Sequence, residues 1–101
     1  MAEIYVLLEN IRSAYNVGAM FRTSDGAGVK KIFLCGITAT PPNAEISKTA
    51  LGAEDFVKWE YEEEAVEVIE KLKKKGVVVV AVEIAKEQKI IGSGRCRMVN
   101  F

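Results

Sequence analysis

The chain of 101 residues contains no histidine. This absence excludes histidine-based catalytic triads, histidine metal sites and the usual general base near neutral pH. Cysteine is also scarce: Cys35 and Cys96 are too far apart for a zinc-type pair, and Cys35 lies inside the apolar run KKIFLC. We therefore expect free thiols in a reducing compartment, with Cys35 as ordinary core packing, and no metal site.

An excess of charge of one sign is missing as well. Fourteen basic and fourteen acidic residues cancel, so no overall positive field attracts nucleic acid and any RNA contact would depend on local arginines. No apolar stretch has the length needed to span a bilayer, and the N-terminus MAEIYVLLEN has no basic region before its apolar part. We expect a cytoplasmic protein without a membrane partner.

The glycine motifs that hold phosphates are absent too. No GxGxxG follows the first predicted strand, and no GxxxxGK[ST] occurs, which argues against a generic nucleotide-binding domain.

The residues that are present predict an α/β layered domain. Half of them are apolar and 28% are charged, which suffices for one core. Apolar periodicity predicts strands over residues 3–9, 30–35, 55–59 and 77–84 and a helical turn over 45–51. It also predicts a helix that starts at Asn16 and has stop signals at Gly26 and Gly28, and a second helix over 62–75. This alternation implies a mostly parallel sheet. We assign residues 1–84 to the domain and 85–101, which have no clear periodicity, to an irregular tail.

The polar segment after the first strand is the main functional signal. Two asparagines and two arginines, Asn10, Arg12, Asn16 and Arg22, indicate binding of an anionic or hydroxyl-rich ligand such as RNA. They belong to the longer pattern N-x-R-x-x-x-N-x-G-x-x-x-R-T, followed by Gly28. Such a pattern on a predicted strand, loop and helix is far more specific than a lone glycine motif.

On this pattern, the chain resembles the N-terminal half of a SpoU-type (TrmH-like) RNA ribose 2'-O-methyltransferase of the SPOUT superfamily. The segments IFLCG and KTALGAED extend the resemblance, which runs from about Ile4 to Glu83. It implies the Rossmann-like half of the SPOUT fold, rRNA or tRNA as the partner and S-adenosylmethionine as the cofactor. It also implies site residues: Arg22 and Asn16 as catalytic residues, and Asn10, Arg12, Gly18 and Thr23 as substrate-binding residues.

The resemblance further implies a role for the Arg22 cation. Because arginine is almost always protonated in proteins, we expect it to stabilise the developing 2'-oxyanion rather than to remove a proton.

Two further motifs of the family have no counterpart after residues 82–83. In the family these segments form a C-terminal trefoil knot that binds S-adenosylmethionine. We therefore expect a truncated form without the knot and without cofactor-binding residues. The alternative is a catalytically inactive domain that binds RNA or pairs with another subunit. A sheet edge left uncovered by the missing strands would invite pairing into a homo-oligomer.

Several of these residues also have structural interpretations. Arg22 could form an exposed ion pair with Asp25, three residues further on. Asn16 is a plausible N-cap of the helix, a role compatible with function, and Arg12 could be a solvated loop charge. Tyr15 either stacks on a base or covers the edge of the core, and the second interpretation is favoured.

Overall fold

The computed structural model of the protein describes residues 3–83 and 95–100. The strands are β1 Ile4–Glu9, β2 Lys31–Cys35, β3 Trp59–Glu62, β4 Val78–Glu83 and β5 Arg95–Asn100. The helices are α1 Ala14–Ala27, α2 Ala44–Ala50 and α3 Ala65–Lys74, with a 3₁₀ turn at Ala53–Asp55. The predicted α/β class is confirmed.

The five strands form one parallel sheet in the order β3-β2-β1-β4-β5. The first strand therefore lies in the centre, where Leu7 is opposite Phe33 of β2 and Ala81 of β4. Near-continuous apolar runs in β1, β2 and β4 are typical of parallel strands covered on both faces. The carboxyl ends of these strands meet at one edge, which is also where the polar segment after β1 begins.

Alternation along each strand divides the core into two clusters. Tyr5 and Leu7 of β1 pack on the face covered by α3. Val6 and Leu8 pack on the opposite face, beneath α1 and α2. The sheet is thus the middle layer between one helix and a pair of helices, as expected for an α/β layered domain.

Helix α1 begins earlier than predicted. Its N-cap is Ser13, whose Oγ accepts a hydrogen bond from the Asn16 N–H at 3.2 Å. The expectation that Asn16 is the N-cap is therefore wrong, and Asn16 lies in the first turn. At the other end, Gly28 adopts the left-handed conformation with φ 73° and its N–H bonds the Asp25 carbonyl. This C-cap matches the predicted stop, since glycine adopts a positive φ without a steric penalty.

The third strand is displaced from its prediction. Residues predicted as strand from position 55 instead continue the 3₁₀ turn, because the N–H groups of Phe56 and Val57 bond the Ala53 carbonyl at 3.0 and 2.9 Å. β3 starts at Trp59 and ends at Glu62, which lies opposite Cys35. Helix α3 accordingly starts at Ala65, after the predicted position 62.

The C-terminal segment differs from the expected irregular tail. Arg95–Asn100 forms β5, a parallel edge strand next to β4. Pairing with a neighbouring strand supplies the order that the local sequence pattern does not predict, since backbone hydrogen bonds do not depend on side-chain alternation. Residues 84–94, on which the expected absence of a knot depends, lie outside the described residues. In the described part of the chain, no helix is long and apolar enough to cross a membrane.

Candidate functional site

Asn10 joins the carboxyl ends of β1 and β2. Its backbone is left-handed, with φ 54°, a conformation that asparagine tolerates better than most residues. Its N–H donates to the Cys35 carbonyl, and its Oδ1 accepts from the Ile37 N–H, each at 3.1 Å. A Cβ on Gly36 would overlap Asn10 Oδ1. Asn10 therefore fixes the loop after β2, a structural role that the motif alone does not reveal.

Thr38 also holds the chain in place at the carboxyl edge of the sheet. The sequence analysis did not identify this residue. Its buried Oγ1 accepts a hydrogen bond from the Ile11 N–H at 3.0 Å and lies 2.7 Å from the Cys35 carbonyl and 3.1 Å from the Leu8 carbonyl. The hydroxyl thus ties the loop that leads into α1 to the ends of both strands. The segment ITATPP contains two threonines, and no local pattern distinguishes Thr38 from Thr40.

Gly18 is buried where α2 crosses α1. A Cβ at this position would overlap Thr49 Oγ1 and the Ile46 carbonyl oxygen, and would lie 3.1 Å from the Ala50 nitrogen. The absence of a side chain lets the two helices touch, and the Thr49 hydroxyl then donates to the Tyr15 carbonyl at 2.8 Å. Gly18 is therefore required by the contact between the two helices. Its substrate-binding role stays a prediction.

The helix contact leaves a solvent-open groove between α1 and α2, which we call the α1–α2 groove. Its volume is about 700 Å³. It is lined by Tyr15, Ala19, Arg22, Thr23, Glu45, Lys48, Thr49 and Leu51. The α1 residues in this set recur at helical spacing, so they form one face of the helix, whereas Val17 and Phe21 of α1 face the core.

The groove carries two cations and one carboxylate. Lys48 Nζ lies 2.9 Å from Glu45 Oε1, and both side chains are largely exposed. Among residues 3–83, Arg22 forms no ion pair, so the alternative pairing with Asp25 is not observed. The guanidinium of Arg22 is therefore exposed beside the groove without a carboxylate partner in that part of the chain.

Tyr15 differs from the favoured expectation. Its side chain is 61% exposed and lines the groove. The interpretation that Tyr15 covers the edge of the core is wrong, because α1 turns Val17 and Phe21 inward instead.

The predicted site residues do not form a single cluster. Arg22 and Thr23, which are adjacent in the sequence, both line the groove. Arg12 is exposed in the loop between β1 and α1. Asn16 is half-buried and does not line the groove, although α1 carries both it and Arg22. The structure thus separates the loop part of the motif from the helical part.

The larger grooves among residues 3–83 do not enclose a ligand of the size of S-adenosylmethionine. Ligand sites usually bury most of the ligand surface, whereas the large grooves lined by residues 3–83 are open on one side. No cluster of three or more acidic or cysteine side chains in these residues could hold a metal ion. Burial, followed by the charges of Glu9 and Glu62, raises the pKa of the Cys35 thiol to about 12, which makes it a packing residue rather than a nucleophile.

Comparison with known proteins agrees with this architecture. The arrangement of a parallel sheet between one helix and a helix pair is shared with solved rRNA methyltransferase structures. Residues 3–94 match the SpoU rRNA Methylase family. The chain belongs to that family.

Individual relatives extend the comparison. A 23S rRNA (guanosine-2'-O-)-methyltransferase, RlmB, from Vibrio parahaemolyticus is 35% identical over 54 residues, which are 54% of this chain and 22% of the relative. An AdoMet-bound rRNA methyltransferase from Sinorhizobium meliloti is 31% identical, with a TM-score of 0.68 over 82% of this chain and 31% of its own.

A second structure of an rRNA methyltransferase from Sinorhizobium meliloti gives 28% identity and a TM-score of 0.70, covering 93% of this chain and 38% of that one. The chain therefore spans less than half the length of each of these relatives.

Proposed function

We propose that this chain carries the RNA-facing part of an RNA ribose 2'-O-methyltransferase that acts on rRNA or tRNA in the cytoplasm. The observation that supports this most directly is the exposed Arg22 guanidinium beside the α1–α2 groove, without a carboxylate partner among residues 3–83. A cation that is neither buried nor paired is available to an anionic ligand. The family membership names RNA as that ligand.

The chemistry assigned to Arg22 is electrostatic. Transfer of a methyl group to a ribose 2'-hydroxyl develops negative charge on the oxygen, and a fixed cation lowers the energy of that state more than that of the neutral hydroxyl. A protonated guanidinium suits this role because it keeps its charge at all ordinary pH values. Thr23, the next residue in the groove, can donate or accept one hydrogen bond to the same sugar.

The other predicted residues would act around this centre. Asn16 lies on the same helix and would position the sugar or Arg22, while Asn10 shapes the loop that carries Arg12. Arg12 would contact a phosphate, which fixes the position of the RNA without reading its sequence. In the family S-adenosylmethionine supplies the methyl group. Because residues 3–83 do not enclose such a molecule, the steps assigned to this chain stop at holding the ribose and stabilising its oxygen.

RNA binding by the chain tests this proposal. We expect the joint change Arg12→Ala and Arg22→Ala to weaken binding of a short RNA loop in a filter assay and to make the dependence on salt less steep, by about 0.7 in log–log slope for each phosphate that is no longer neutralised. The matched control is the joint change Lys58→Ala and Lys74→Ala, which removes two exposed cations outside the groove. Equal affinity of the arginine variant and the wild type would contradict the proposal.

The second candidate is a catalytically inactive domain that binds RNA or pairs with another subunit, and it needs no enclosed cofactor site among residues 3–83. Calorimetric titration with S-adenosylmethionine separates the two. Saturable heat of binding would show that the chain has a cofactor site and would contradict the second candidate. Sedimentation at increasing protein concentration measures whether the chain associates.

A further inference from the structure

We propose that the α1–α2 groove is a subsite for a single-stranded nucleotide next to the methylated one, with its base stacked on Tyr15 and its phosphate bound by Lys48. This inference rests on the proposed function, because it takes the ribose near Arg22 as the target. It adds two residues outside the arginine and asparagine positions of the motif, and it predicts that the flanking nucleotide must be unpaired.

The spacing along α1 separates the two positions. Tyr15 and Arg22 are seven residues apart, which is close to two full turns, so both side chains lie on one face of the helix about 10 Å apart along its axis. Successive stacked nucleotides of one strand are about 3.4 Å apart along the helix axis. A base from the adjacent nucleotide can therefore reach Tyr15 only if it has left the stack, as in single-stranded loops.

Tyr15 has the properties of a stacking platform. The residue is 61% exposed, yet its backbone is held by α1 and by the hydrogen bond from Thr49 Oγ1 to its carbonyl at 2.8 Å. Ala19, one turn further along α1, also lines the groove, and its small side chain leaves room for a base next to Tyr15. An exposed aromatic ring on a rigid helix can stack on any base, because every base presents a π-face.

The charge of the groove suits a phosphate. Lys48 is bound to Glu45 at 2.9 Å, but the exposed fractions of the two side chains are 69% and 56%. Such exposed pairs contribute little to stability, so a phosphate can replace the carboxylate at small cost. With Arg22 at the same groove, two cations face one carboxylate, although the whole chain has a net charge of zero.

The size and the end of the groove suit a nucleotide rather than a free anion. The open groove of about 700 Å³ has room for a nucleotide lying along its surface and far exceeds what one phosphate fills. Leu51, which is 66% exposed in a left-handed C-cap with φ 52°, adds an apolar side chain to the lining. A base offers the flat apolar surface that Tyr15 and Leu51 can contact, and the attached phosphate offers the charge.

The experiment measures binding of a fluorescently labelled eight-nucleotide oligo-uridine RNA to the full chain by anisotropy. We expect Tyr15→Ala to weaken binding about fivefold or more, the effect typical of losing one base–aromatic stack. Tyr15→Phe should bind like the wild type. The control is Phe56→Ala, which removes an aromatic side chain that is 79% exposed and lies outside the groove. It should leave the affinity unchanged.

Two further measurements identify the contacts. With an abasic RNA of the same length, Tyr15→Ala should have no effect, because the stack needs a base. Lys48→Ala should lower the slope of log affinity against log salt by about 0.7, whereas the exposed Lys74→Ala on α3 should not. If Tyr15→Ala has the same unfolding curve as the wild type, a folding defect is excluded. If the curve shifts, the binding measurements are repeated with Tyr15→Leu, which keeps an apolar side chain but has no ring.

The outcomes separate this inference from the proposed function. Wild-type affinity of Tyr15→Ala, together with weakened binding by the Arg12 and Arg22 double variant, would overturn the subsite and leave the proposed function intact. An equal loss on abasic RNA would also overturn it. No binding of RNA by the wild-type chain would overturn both. If the chain self-associates, and Tyr15→Ala abolishes this association without changing the affinity for RNA, the groove binds a protein partner and the subsite is overturned.

Discussion

The two faces of the sheet use their helices differently. On one face, α3 turns Ala65, Val68 and Leu72 inward at helical spacing and exposes charged side chains, so its sequence is explained by packing and solvation. On the other face, α1 also buries apolar residues, but its outer surface exposes Tyr15 and an arginine without an ion pair among residues 3–83. This difference is what the proposed function requires of the second face.

The same contrast divides the family motif itself. Gly18 and Asn10 are required by the backbone, since one permits the contact of α1 with α2 and the other holds the loop after β2. Arg22 and Thr23 face the groove and contribute nothing visible to the core. Motif residues of the first kind should therefore be sensitive in folding assays, and those of the second kind in binding assays.

The largest expected effect concerns the α3 face. Leu72→Ala should lower the free energy of unfolding by about 2–5 kcal/mol, because Leu72 is 3% exposed in the cluster beneath α3 and its truncation leaves a cavity. Urea denaturation measures the loss. The affinity of the folded variant for RNA should equal that of the wild type. Val66→Ala, at an exposed position of the same helix, is the control and should change stability little.

Gly18→Ala should affect both stability and binding. The added methyl group would overlap Thr49 and the Ile46 carbonyl, and such overpacking typically costs about 1–3 kcal/mol. Displacement of α2 would also widen the α1–α2 groove and weaken RNA binding. Denaturation and anisotropy measure the two effects.

The matched control for this change is Gly26→Ala in the same helix. No atom lies within 4 Å of a Cβ built there, so replacing a helical glycine should raise stability by about 1 kcal/mol. Loss of stability in both variants to the same extent would show that the cost at Gly18 does not come from its contact with α2.

Thr38→Val tests the fixed point at the carboxyl edge of the sheet. Removing the hydroxyl leaves the Ile11 N–H without its acceptor, and an unsatisfied buried donor costs about 1–3 kcal/mol. Thr38→Ser keeps the hydroxyl and should lose less than Thr38→Val. Thr40→Val is the control, because the side chain of Thr40 forms no hydrogen bond with residues 3–83. Equal stability of the three variants would exclude this role.

The sequence predicted the fold well where apolar patterns are long. The runs in β1, β2 and β4 and the stripe of α3 have strong periodicity, and all four elements lie where expected to within three residues. β3 was displaced because the 3₁₀ turn at Ala53–Asp55 depends on its own backbone bonds. β5 was missed because pairing with β4 supplies an order that no local pattern records.

The site could be predicted only in part. The motif identified Arg22 and Thr23, which line one groove. It could not show Lys48, which α2 brings to the same groove from 26 positions further along the chain. The exposure of Tyr15 depends on which face of α1 packs on the sheet, and a helix start displaced to Ser13 changes that assignment.

The smallest expected effect concerns the Lys–Glu pairs on the two faces. Lys31 Nζ lies 3.0 Å from Glu60 Oε1 on the α3 side, with exposed fractions of 30% and 45%, so this pair is less exposed than Lys48 and Glu45 of the groove. The hydrogen bond from Lys31 lowers the pKa of Glu60. A lowered pKa in the folded state means that the carboxylate stabilises the fold above the unfolded pKa of about 4.3.

Glu60→Gln should therefore cost a few tenths of a kcal/mol to about 1 kcal/mol at pH 7, the usual value for exposed pairs. The difference from the wild type should shrink as the pH falls below about 4.3 and the carboxylate is protonated. Urea denaturation at pH 7 and at pH 3 measures it. Glu45→Gln is the matched control in the groove and should cost less, because its pair is more exposed. An equal cost in both variants would mean that the Glu45–Lys48 pair is held as firmly as the one beneath α3, and Lys48 would then not be free to bind a phosphate.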